Sequence, residues 1–371
     1  MAYTTIDDPT KYFDVTLWTG DGGARTITGL NHKPDLIWAK PRSVAYNHMW
    51  SDSTRGFNAN SELGSNSTAA EGGLSAETYG YKSGHTSDGW TMVDGTDTVD
   101  SQEDGTTTQP SVTYVGWTWA ANGGTTTTND ASATSVGSID SVYQANTTAG
   151  FSIVTYTGTG SNGTIAHGLG STPKWYFVKN RSESSVSSTD QAWIVYHSVM
   201  AHGAAMFLNT TDSKMNHSPF WNSTAPTSTT FSVGTDSRTN TSADNYIAYC
   251  FSEVQGYSKF GSYKGNGNAD GPFVYTGFKP AFMIAKEYGA SRNWTMADSL
   301  SQTAGNGGVT NSQQPNVAGA KDANERMDWL SNGFKIRNTS TTWNTSGGTF
   351  IYIAFAEHPF VSSKGIPTTA R

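Results

Sequence analysis

The sequence predicts an all-β protein built from tandem antiparallel β-sandwich modules. Glycine supplies 40 of the 371 residues and charged residues only 14%, a composition that suits short strands joined by polar loops. Runs of helix-favouring residues are nearly absent. A strand-like segment also recurs three times, as "KPDLIWAK" at 33–40, "TPKWYFVKN" at 172–180 and "KPAFMIAKE" at 279–287. These observations together favour repeated β modules over a helical fold.

The recurring segment belongs to a longer internal repeat. Five short sequence patterns, here called landmarks, recur in the same order in each copy. The last landmark of each copy is a run of alternating residues: "YVGWTWA" at 114–120, "YIAYCF" at 246–251 and "YIAFAE" at 352–357. Because the landmarks never change places, we expect three homologous modules, each a jelly-roll-like sandwich.

The module boundaries follow from the spacing of the copies. We place the modules at residues 1–120, 151–256 and 257–371. The segment 121–150 is rich in Thr, Ser and Gly and poor in rings, so we expect a linker or extended arm there. Only "VQGYSK" separates the last two modules, which we expect to pack as a rigid pair.

Each landmark has the features of a β-strand. The proline-bounded segments are short apolar runs without helical periodicity, which predicts strands covered on both faces. A proline is tolerated at the first residue of such a strand. The closing runs alternate, so Val115, Trp117 and Trp119 should share one face of a sheet. The sequences "SDGW" and "SNGF" are typical of turns before a strand.

Aromatic residues are expected to anchor the cores. They form 12% of the chain, with 12 Trp, 17 Tyr and 16 Phe. We assign Trp50, Trp193 and Trp294 to one repeat position. The predicted anchors are Trp38, Trp50, Trp117, Trp175, Trp193, Phe282, Trp294 and Phe355. Trp221 and Trp343 lie instead in loops rich in Ser, Thr and Asn, where an exposed ring would favour contact with a glycan or a host surface.

The net charge and the first residues of the sequence restrict the kinds of partner that we expect. The net charge is −7 without a basic block, so we expect no nucleic-acid partner. The first residues have no signal-peptide pattern, and no apolar run approaches the roughly 20 residues of a membrane span. We therefore expect a protein made in the cytoplasm without membrane insertion. The single cysteine, Cys250, lies in an apolar run and is interpreted as a buried reduced thiol.

Catalytic and metal-binding motifs are missing from the sequence, so no catalytic, cofactor-binding or metal-ligating residue is predicted. "GDGG" at 20–23 and "GNGN" at 265–268 are interpreted as hairpin turns, because no helix follows them. His197, His202 and His217 lack ligand spacing. Acidic residues that recur near the landmarks are interpreted as turn caps and not as a glycosidase pair: Asp52, Asp88, Glu253, Asp298 and Glu357.

The acidic loop 93–105 leaves one alternative open. Its carboxylates could hold a calcium ion, since hard cations need several loop oxygens, but a solvated loop is the favoured interpretation. The candidate ligands are Asp94, Asp97, Asp100 and Asp104.

Several motifs resemble a known family. "MAYTTIDDPTKYFDVTLWTGDG", "GLNHKPDLIWAKPRS", "DGW" and "YIAFAEHPFVSSKG" are similar to a family of virion-associated proteins of marine tailed phages, including cyanophages. The first copy matches nearly every element, including "SDSTRG" at 51–56, whereas the other two copies keep the strand pattern and lose "RG". The resemblance implies a component of the phage particle, located in the virion and made in the host cytoplasm.

The function predicted from these features is non-enzymatic. We expect a fibre- or knob-type surface appendage that contacts a glycan or protein of the host envelope. Such appendages are usually symmetric oligomers, so we expect a homotrimer that also touches other virion proteins. One alternative is a head-decoration or neck protein that stabilises the particle. A polysaccharide depolymerase is the least favoured alternative.

Overall fold

The chain folds into three sets of antiparallel strands packed around a common centre. The computed structural model describes residues 2–97, 102–104, 111–182, 191–302, 308–309, 311–324 and 326–368. Nearly all regular structure in these ranges is β, which confirms the predicted all-β antiparallel sandwich class. The four α-helices within them have four residues each, and none is long and apolar enough to cross a membrane.

The first module contains a larger sheet and a smaller one. Its elements are a 3₁₀ turn (Pro9–Lys11), β1 (Phe13–Thr19), β2 (Arg25–Ile27), β3 (Leu36–Pro41), β4 (Met49–Asp52), a second 3₁₀ turn (Ala59–Ser61), β5 (Leu63–Gly64), α1 (Ala76–Tyr79), β6 (Tyr81–Thr86), β7 (Gly89–Val93) and β8 (Thr113–Trp119). The main sheet has the order β1-β8-β3-β4-β5, and the small sheet has the order β2-β7-β6.

The second module has the same plan with a wider main sheet. Its elements are β9 (Thr127–Asn129), α2 (Ala131–Thr134), β10 (Ser141–Asn146), β11 (Phe151–Thr157), β12 (Gly163–Ala166), β13 (Trp175–Asn180), β14 (Ile194–His197), β15 (Ala204–Phe207), β16 (Met215–Asn216), a 3₁₀ turn (Ser218–Phe220), β17 (Thr230–Val233), α3 (Ser237–Asn240) and β18 (Asn245–Phe251). The main sheet has the order β16-β15-β14-β13-β18-β11-β10-β9, and β12 pairs with β17 in the small sheet.

The third module again pairs two sheets. Its elements are β19 (Ser258–Lys264), β20 (Phe273–Tyr275), β21 (Phe278–Glu287), β22 (Thr295–Asp298), β23 (Gly308–Val309), β24 (Met327–Leu330), β25 (Gly333–Ile336), α4 (Thr341–Asn344) and β26 (Thr349–Pro359). The main sheet has the order β19-β26-β21-β22, and the small sheet has the order β20-β25-β24-β23.

The three main sheets share one pairing order. The orders β1-β8-β3-β4, β11-β18-β13-β14 and β19-β26-β21-β22 each place the first strand beside the last one, followed by the proline-bounded strand and then the next strand. The registers also agree: Leu36 lies opposite Trp119, Trp175 opposite Phe251, and Phe282 opposite Phe355. These pairs define equivalent positions in the three modules.

The register corrects one assignment made from the sequence. Asp52, His197 and Asp298 occupy one position, because they lie opposite the equivalent residues Leu36, Trp175 and Phe282. Counting back along the strands aligns Trp50 with Val195 and Met296, so Trp50 does not share a position with Trp193 and Trp294. The residue that aligns with those two tryptophans is His48. A shift of two residues keeps a side chain on the same face of a strand, so alternation alone could not detect the error.

The segment expected to be a linker is folded. Within residues 121–150, β10 pairs with β11 over six residue pairs, and β9 pairs with β10. Asp130 caps α2 through the backbone N–H groups of Ser132 and Ala133. A polar Thr/Ser-rich segment can form a strand here because it adds to an existing sheet edge, where one face stays in contact with water.

Each main sheet is buried on both faces. Every residue of β3 and β13 is buried, as is every residue of β21 except Lys279, which confirms the prediction of strands covered on both sides. One face packs against the small sheet of the same module, and the three outer cores formed in this way are separate. The other face contributes to a single central core that contains residues of all three modules. The modules are therefore not independent units along the chain.

The central core is built from large rings. All eight predicted anchors belong to it and are buried. At one level of the core the equivalent residues Trp119, Phe251 and Phe355 form a triangle, with ring centroids 5.6 to 6.2 Å apart. This triangle brings together the last strand of each module, so the three modules surround the centre as a pseudo-threefold assembly within one chain.

Candidate functional site

Equivalent aromatic side chains link each module to the next around the centre. The Trp193 indole N–H donates to the Gly64 carbonyl (2.8 Å), and the Trp294 indole N–H donates to the Phe207 carbonyl (2.7 Å). At the aligned position, Nε2 of His48 lies 3.1 Å from the carbonyl oxygen of Gln314. The second module thus bonds the first, the third bonds the second, and the first bonds the third. The contacts form a closed ring.

Three equivalent lysines form a parallel ring. Each lies at the end of a proline-bounded strand, and each side chain is buried. The Nζ atoms of Lys40, Lys179 and Lys286 donate to carbonyl oxygens of the neighbouring module, at distances of 3.0, 2.9 and 2.8 Å. Burial lowers the pKa of Lys40 to about 7, that of Lys179 to about 7 and that of Lys286 to about 8. The recurring lysines are therefore structural.

The acidic turn residues close the third set of contacts between modules. Asp52 accepts a hydrogen bond from the Tyr249 hydroxyl at 2.7 Å, and Asp298 accepts one from the Trp117 indole at 3.3 Å. At the equivalent position, Nε2 of His197 lies 3.4 Å from the Tyr352 carbonyl oxygen. The residues that donate to Asp52 and Asp298, Tyr249 and Trp117, have Ile353 as their equivalent in the third module. The side chain of Ile353 has no hydrogen-bond donor. A carboxylate in place of His197 would therefore lack the donor that Asp52 and Asp298 have.

The arginine of "SDSTRG" belongs to the same interface. The Arg55 side chain is fully buried and contacts Asp52 at 2.6 Å and Glu71 at 2.8 Å. Arg181 of the second module also contacts Glu71 at 2.8 Å. Although burial opposes the charge on Arg55, the carboxylates of Asp52 and Glu71 hold its pKa well above the usual range. The arginine of "RG" in the first module therefore belongs to a network of ion pairs that links this module to the second one.

The other acidic candidates also make structural contacts. Asp88 accepts from the backbone N–H of Gly29 at 3.4 Å. Glu253 contacts Lys259 at 2.9 Å and Lys174 at 3.3 Å. Glu357 contacts Lys279 at 2.7 Å. Asp88 caps a turn as predicted, whereas Glu357 forms an ion pair that the interpretation of turn caps did not include.

The expectation of exposed rings at Trp221 and Trp343 is wrong. Their exposed fractions are 0% and 1%. The Trp221 indole donates to the Ala204 carbonyl at 3.1 Å, and its ring lies 5.0 Å from that of Tyr176. Trp343 lies in α4, where its carbonyl accepts from the Tyr263 hydroxyl at 2.9 Å. Both polar loops fold back onto their modules, and burial of a large ring outweighs the polar character of its neighbours.

The acidic loop is only partly described, and Asp100 lies outside the described residues. Asp104 contacts Arg25 at 3.0 Å, and the adjacent Glu103 contacts the buried Lys82 at 2.7 Å. Across the described ranges, no three His, Cys, Asp or Glu side chains are close enough to hold a metal ion. His202 contacts Tyr196 and His217 contacts Asp236. Burial of Cys250 raises the pKa of its thiol far above the usual range, so this side chain is a poor nucleophile.

An open cleft, here called the β1 cleft, lies between the first and third modules. Its volume is about 470 Å³. One wall is the start of β1, with Phe13, Asp14 and Val15. The opposite wall and rim come from the third module and from Thr10; they are formed by Lys279, Ala281, Ser299, Leu300, Gln302, Trp329, Ala356, Glu357 and His358. The sequence did not predict this cleft, because its walls are hundreds of residues apart along the chain.

The β1 cleft combines the apolar surface of Leu300 with the polar groups of Trp329 and Asp14. Leu300 is 52% exposed, while Trp329 is 3% exposed and its indole N–H makes no hydrogen bond with any described residue. Burial raises the pKa of Asp14 to about 6, although its carboxylate accepts the backbone N–H of Val15 at 2.8 Å. A cleft with this mixture of groups can bind a ligand that offers both apolar surface and hydrogen-bonding groups.

Comparison with known proteins places the chain in a family. No curated protein sequence matches it. A family model described as a domain of unknown function, DUF7483, matches residues 8–359 and thus runs through all three modules. The chain therefore belongs to the DUF7483 family.

Proposed function

We propose that the protein is a non-enzymatic surface component of a phage particle that contacts the host envelope. The observation that carries the proposal is the closed ring of buried contacts among the three modules. It uses the recurring lysines, carboxylates and tryptophans of the repeat for rigidity, and it leaves the β1 cleft open at the surface. A rigid body with an open cleft is suited to presenting a contact surface.

Two further observations support the proposal. The sequence resembles virion-associated proteins of marine tailed phages over almost the whole chain. The β1 cleft also offers the exposed Leu300 side chain and the Asp14 carboxylate, groups that suit a glycan or a protein segment of the host envelope. Homotrimer formation, expected from the sequence, would have to use outer surfaces, because the inner faces of the main sheets are buried in the central core.

Competition for host adsorption tests the proposal. Purified protein should bind host cells and reduce adsorption of the phage. Leu300→Asp should abolish the reduction, because it places a charge on the apolar wall of the cleft. Val199→Asp is the matched control, since Val199 is 42% exposed and does not line the cleft. Protein that neither binds cells nor reduces adsorption would contradict the proposal, as would release of reducing ends from host polysaccharide.

A structural clamp within the particle is the second candidate. The free edge of β1 favours it, since an open sheet edge can pair with a segment of a neighbouring protein. Deleting the gene separates the two roles. Intact particles that fail to adsorb would support host contact, whereas fragile or misassembled particles would support the clamp.

A further inference from the structure

The three modules differ at the edge of the main sheet that is formed by β1, β11 or β19. β1 and β19 are the outermost strands of their main sheets, whereas the equivalent strand β11 is covered by β10. Val15, Ile153 and Phe260 occupy the same position on these strands, opposite Trp117, Tyr249 and Ile353. In the second module, Ile153 lies opposite Gln144 of β10. This module shows that the fold accepts an added antiparallel strand at this edge.

The backbone of β1 presents unpaired groups at the same edge. Tyr12 accepts the backbone N–H of Ala120, and Gly20 donates to Val112, which fixes the residues of β1 that bond to β8. Hydrogen-bonded pairs alternate along an antiparallel ladder. The N–H and C=O groups of Val15 and Leu17 therefore point away from β8 and towards the open edge.

A carboxylate occupies the place of the missing strand in the other two modules. At the edge of β19 in the third module, Glu253 from the end of the second module accepts the backbone N–H of Phe260 at 3.2 Å, and two lysines neutralise its charge. In the first module, Asp14 accepts the N–H of Val15 at 2.8 Å. Within the described residues, Asp14 contacts no Lys, Arg or His closely enough to form an ion pair. The carboxylate at the edge of β19 is thus neutralised by lysines, whereas the carboxylate at the edge of β1 has no neutralising cation among the described residues.

We propose that the β1 cleft binds an extended segment of another protein, which adds to β1 as an antiparallel strand and places a Lys or Arg side chain opposite Asp14. On binding, the N–H of Val15 passes from the Asp14 carboxylate to a carbonyl of the incoming strand. The carboxylate then pairs with the cation. Alternate side chains of the added strand face Ala281 and Leu300 across the cleft.

Charge favours a basic partner over a second copy of this chain. The protein has a net charge of −7, so two copies repel one another, whereas a basic segment is attracted. The inference rests on the proposed function for the role of the cleft as a contact surface, and it deepens that function by naming a polypeptide strand as the ligand.

Synthetic peptides based on β10 provide the probe. The peptide of residues 140–147, "DSVYQANT", is made with Ala145→Lys, with Ala145→Glu and unchanged. Ala145 lies opposite Ser152, the equivalent of Asp14. Binding to the full-length protein is measured by fluorescence anisotropy, and protection of the Val15 and Leu17 amides by hydrogen exchange. The Lys peptide should bind about tenfold or more tightly than the Glu peptide and should protect both amides.

Two variants test the role of Asp14. Asp14→Asn should remove the preference for the Lys peptide, while Glu77→Gln, which neutralises an exposed carboxylate outside the cleft, should keep it. If Asp14→Asn does not fold, the comparison of the Lys and Glu peptides on the native protein still decides. Equal binding of the two peptides would overturn the proposal, as would unprotected Val15 and Leu17 amides at about 1 mM peptide.

Other occupants of the cleft give distinct outcomes. An oligosaccharide that protects these amides while the peptides do not would overturn the strand proposal in favour of glycan binding. Self-association in sedimentation that disappears in Asp14→Asn would identify a second copy as the occupant and would also overturn it. If the peptides do not bind but the protein still competes for adsorption, the strand proposal is wrong and the proposed function is retained. Retained peptide binding without any effect on adsorption would contradict the proposed function alone.

Discussion

The indole N–H of Trp193 donates a hydrogen bond of 2.8 Å to the backbone carbonyl of Gly64 and thereby ties the second module to the first. Both groups are buried, so neither can exchange the bond for water. The equivalent bond of Trp294 and the contact of His48 repeat the link around the centre. One position of the repeat therefore makes three interfaces.

Trp193→Phe should destabilise the protein more than Trp50→Phe. Both changes remove the same indole volume from the central core, but the Trp50 N–H makes no hydrogen bond with any described residue. Loss of the Trp193 bond removes one buried hydrogen bond, which contributes about 0.5–1.5 kcal/mol, while the Gly64 carbonyl still accepts from the backbone N–H of Ser67 at 3.1 Å. Urea denaturation of the two variants measures the difference in the free energy of unfolding. Equal losses would show that the bond contributes nothing beyond packing.

Lys179→Met should change how stability depends on pH. Burial lowers the pKa of Lys179 to about 7 in the folded protein, whereas an unfolded lysine has a pKa of about 10.4. Between these values the unfolded state binds more protons, so the free energy of unfolding of the native protein rises with pH. Relative to the variant, the rise should approach about 1.4 kcal/mol for each pH unit in this window.

The measurement is a set of urea titrations from pH 7 to pH 10. Lys264→Met, which changes an exposed lysine, serves as the control. The free energy of unfolding of the native protein minus that of Lys179→Met should be lowest near pH 7 and should increase towards pH 10. A difference that stays constant across this range would show that Lys179 keeps its proton in the folded protein.

Arg55→Met should strongly destabilise the junction of the first two modules. The change leaves the buried carboxylate of Asp52 without its cation, and breaking a buried pair in this way costs about 3–5 kcal/mol. Lys335→Met is the matched control: its partner Asp270 is exposed to water, so a much smaller loss is expected. Thermal unfolding followed by circular dichroism compares the two. Similar melting temperatures would contradict a role for Arg55 in holding the modules together.

Trp221→Ala should affect stability and not host contact. Its ring is fully buried in the outer core of the second module, and truncating such a ring costs about 3–5 kcal/mol. Phe273→Ala, at a ring that is 46% exposed, should cost much less. Calorimetry measures both changes. Folded Trp221→Ala protein should still compete with the phage for adsorption. If the variant is as stable as the native protein but no longer competes, Trp221 belongs to the surface that contacts the host.

Local patterns of the sequence were sufficient for the strands of the repeated segments and for the burial of their rings. Short apolar runs predicted that β3, β13 and β21 are covered on both faces, and the eight predicted anchor rings are buried, although in one shared core and not in three separate ones. These features depend on the two-residue period of a strand and on the hydrophobic effect, which act on residues close together in the chain.

Contacts between distant segments required the folded protein. The alignment of His48 with Trp193, the pairing of β10 with β11, the burial of Trp221 and the walls of the β1 cleft all depend on which segments meet in space. Alternation is unchanged by a shift of two residues, and a polar segment can pair with a sheet edge as readily as it can stay in solvent. Only the packing of the three modules around one core selects among these possibilities.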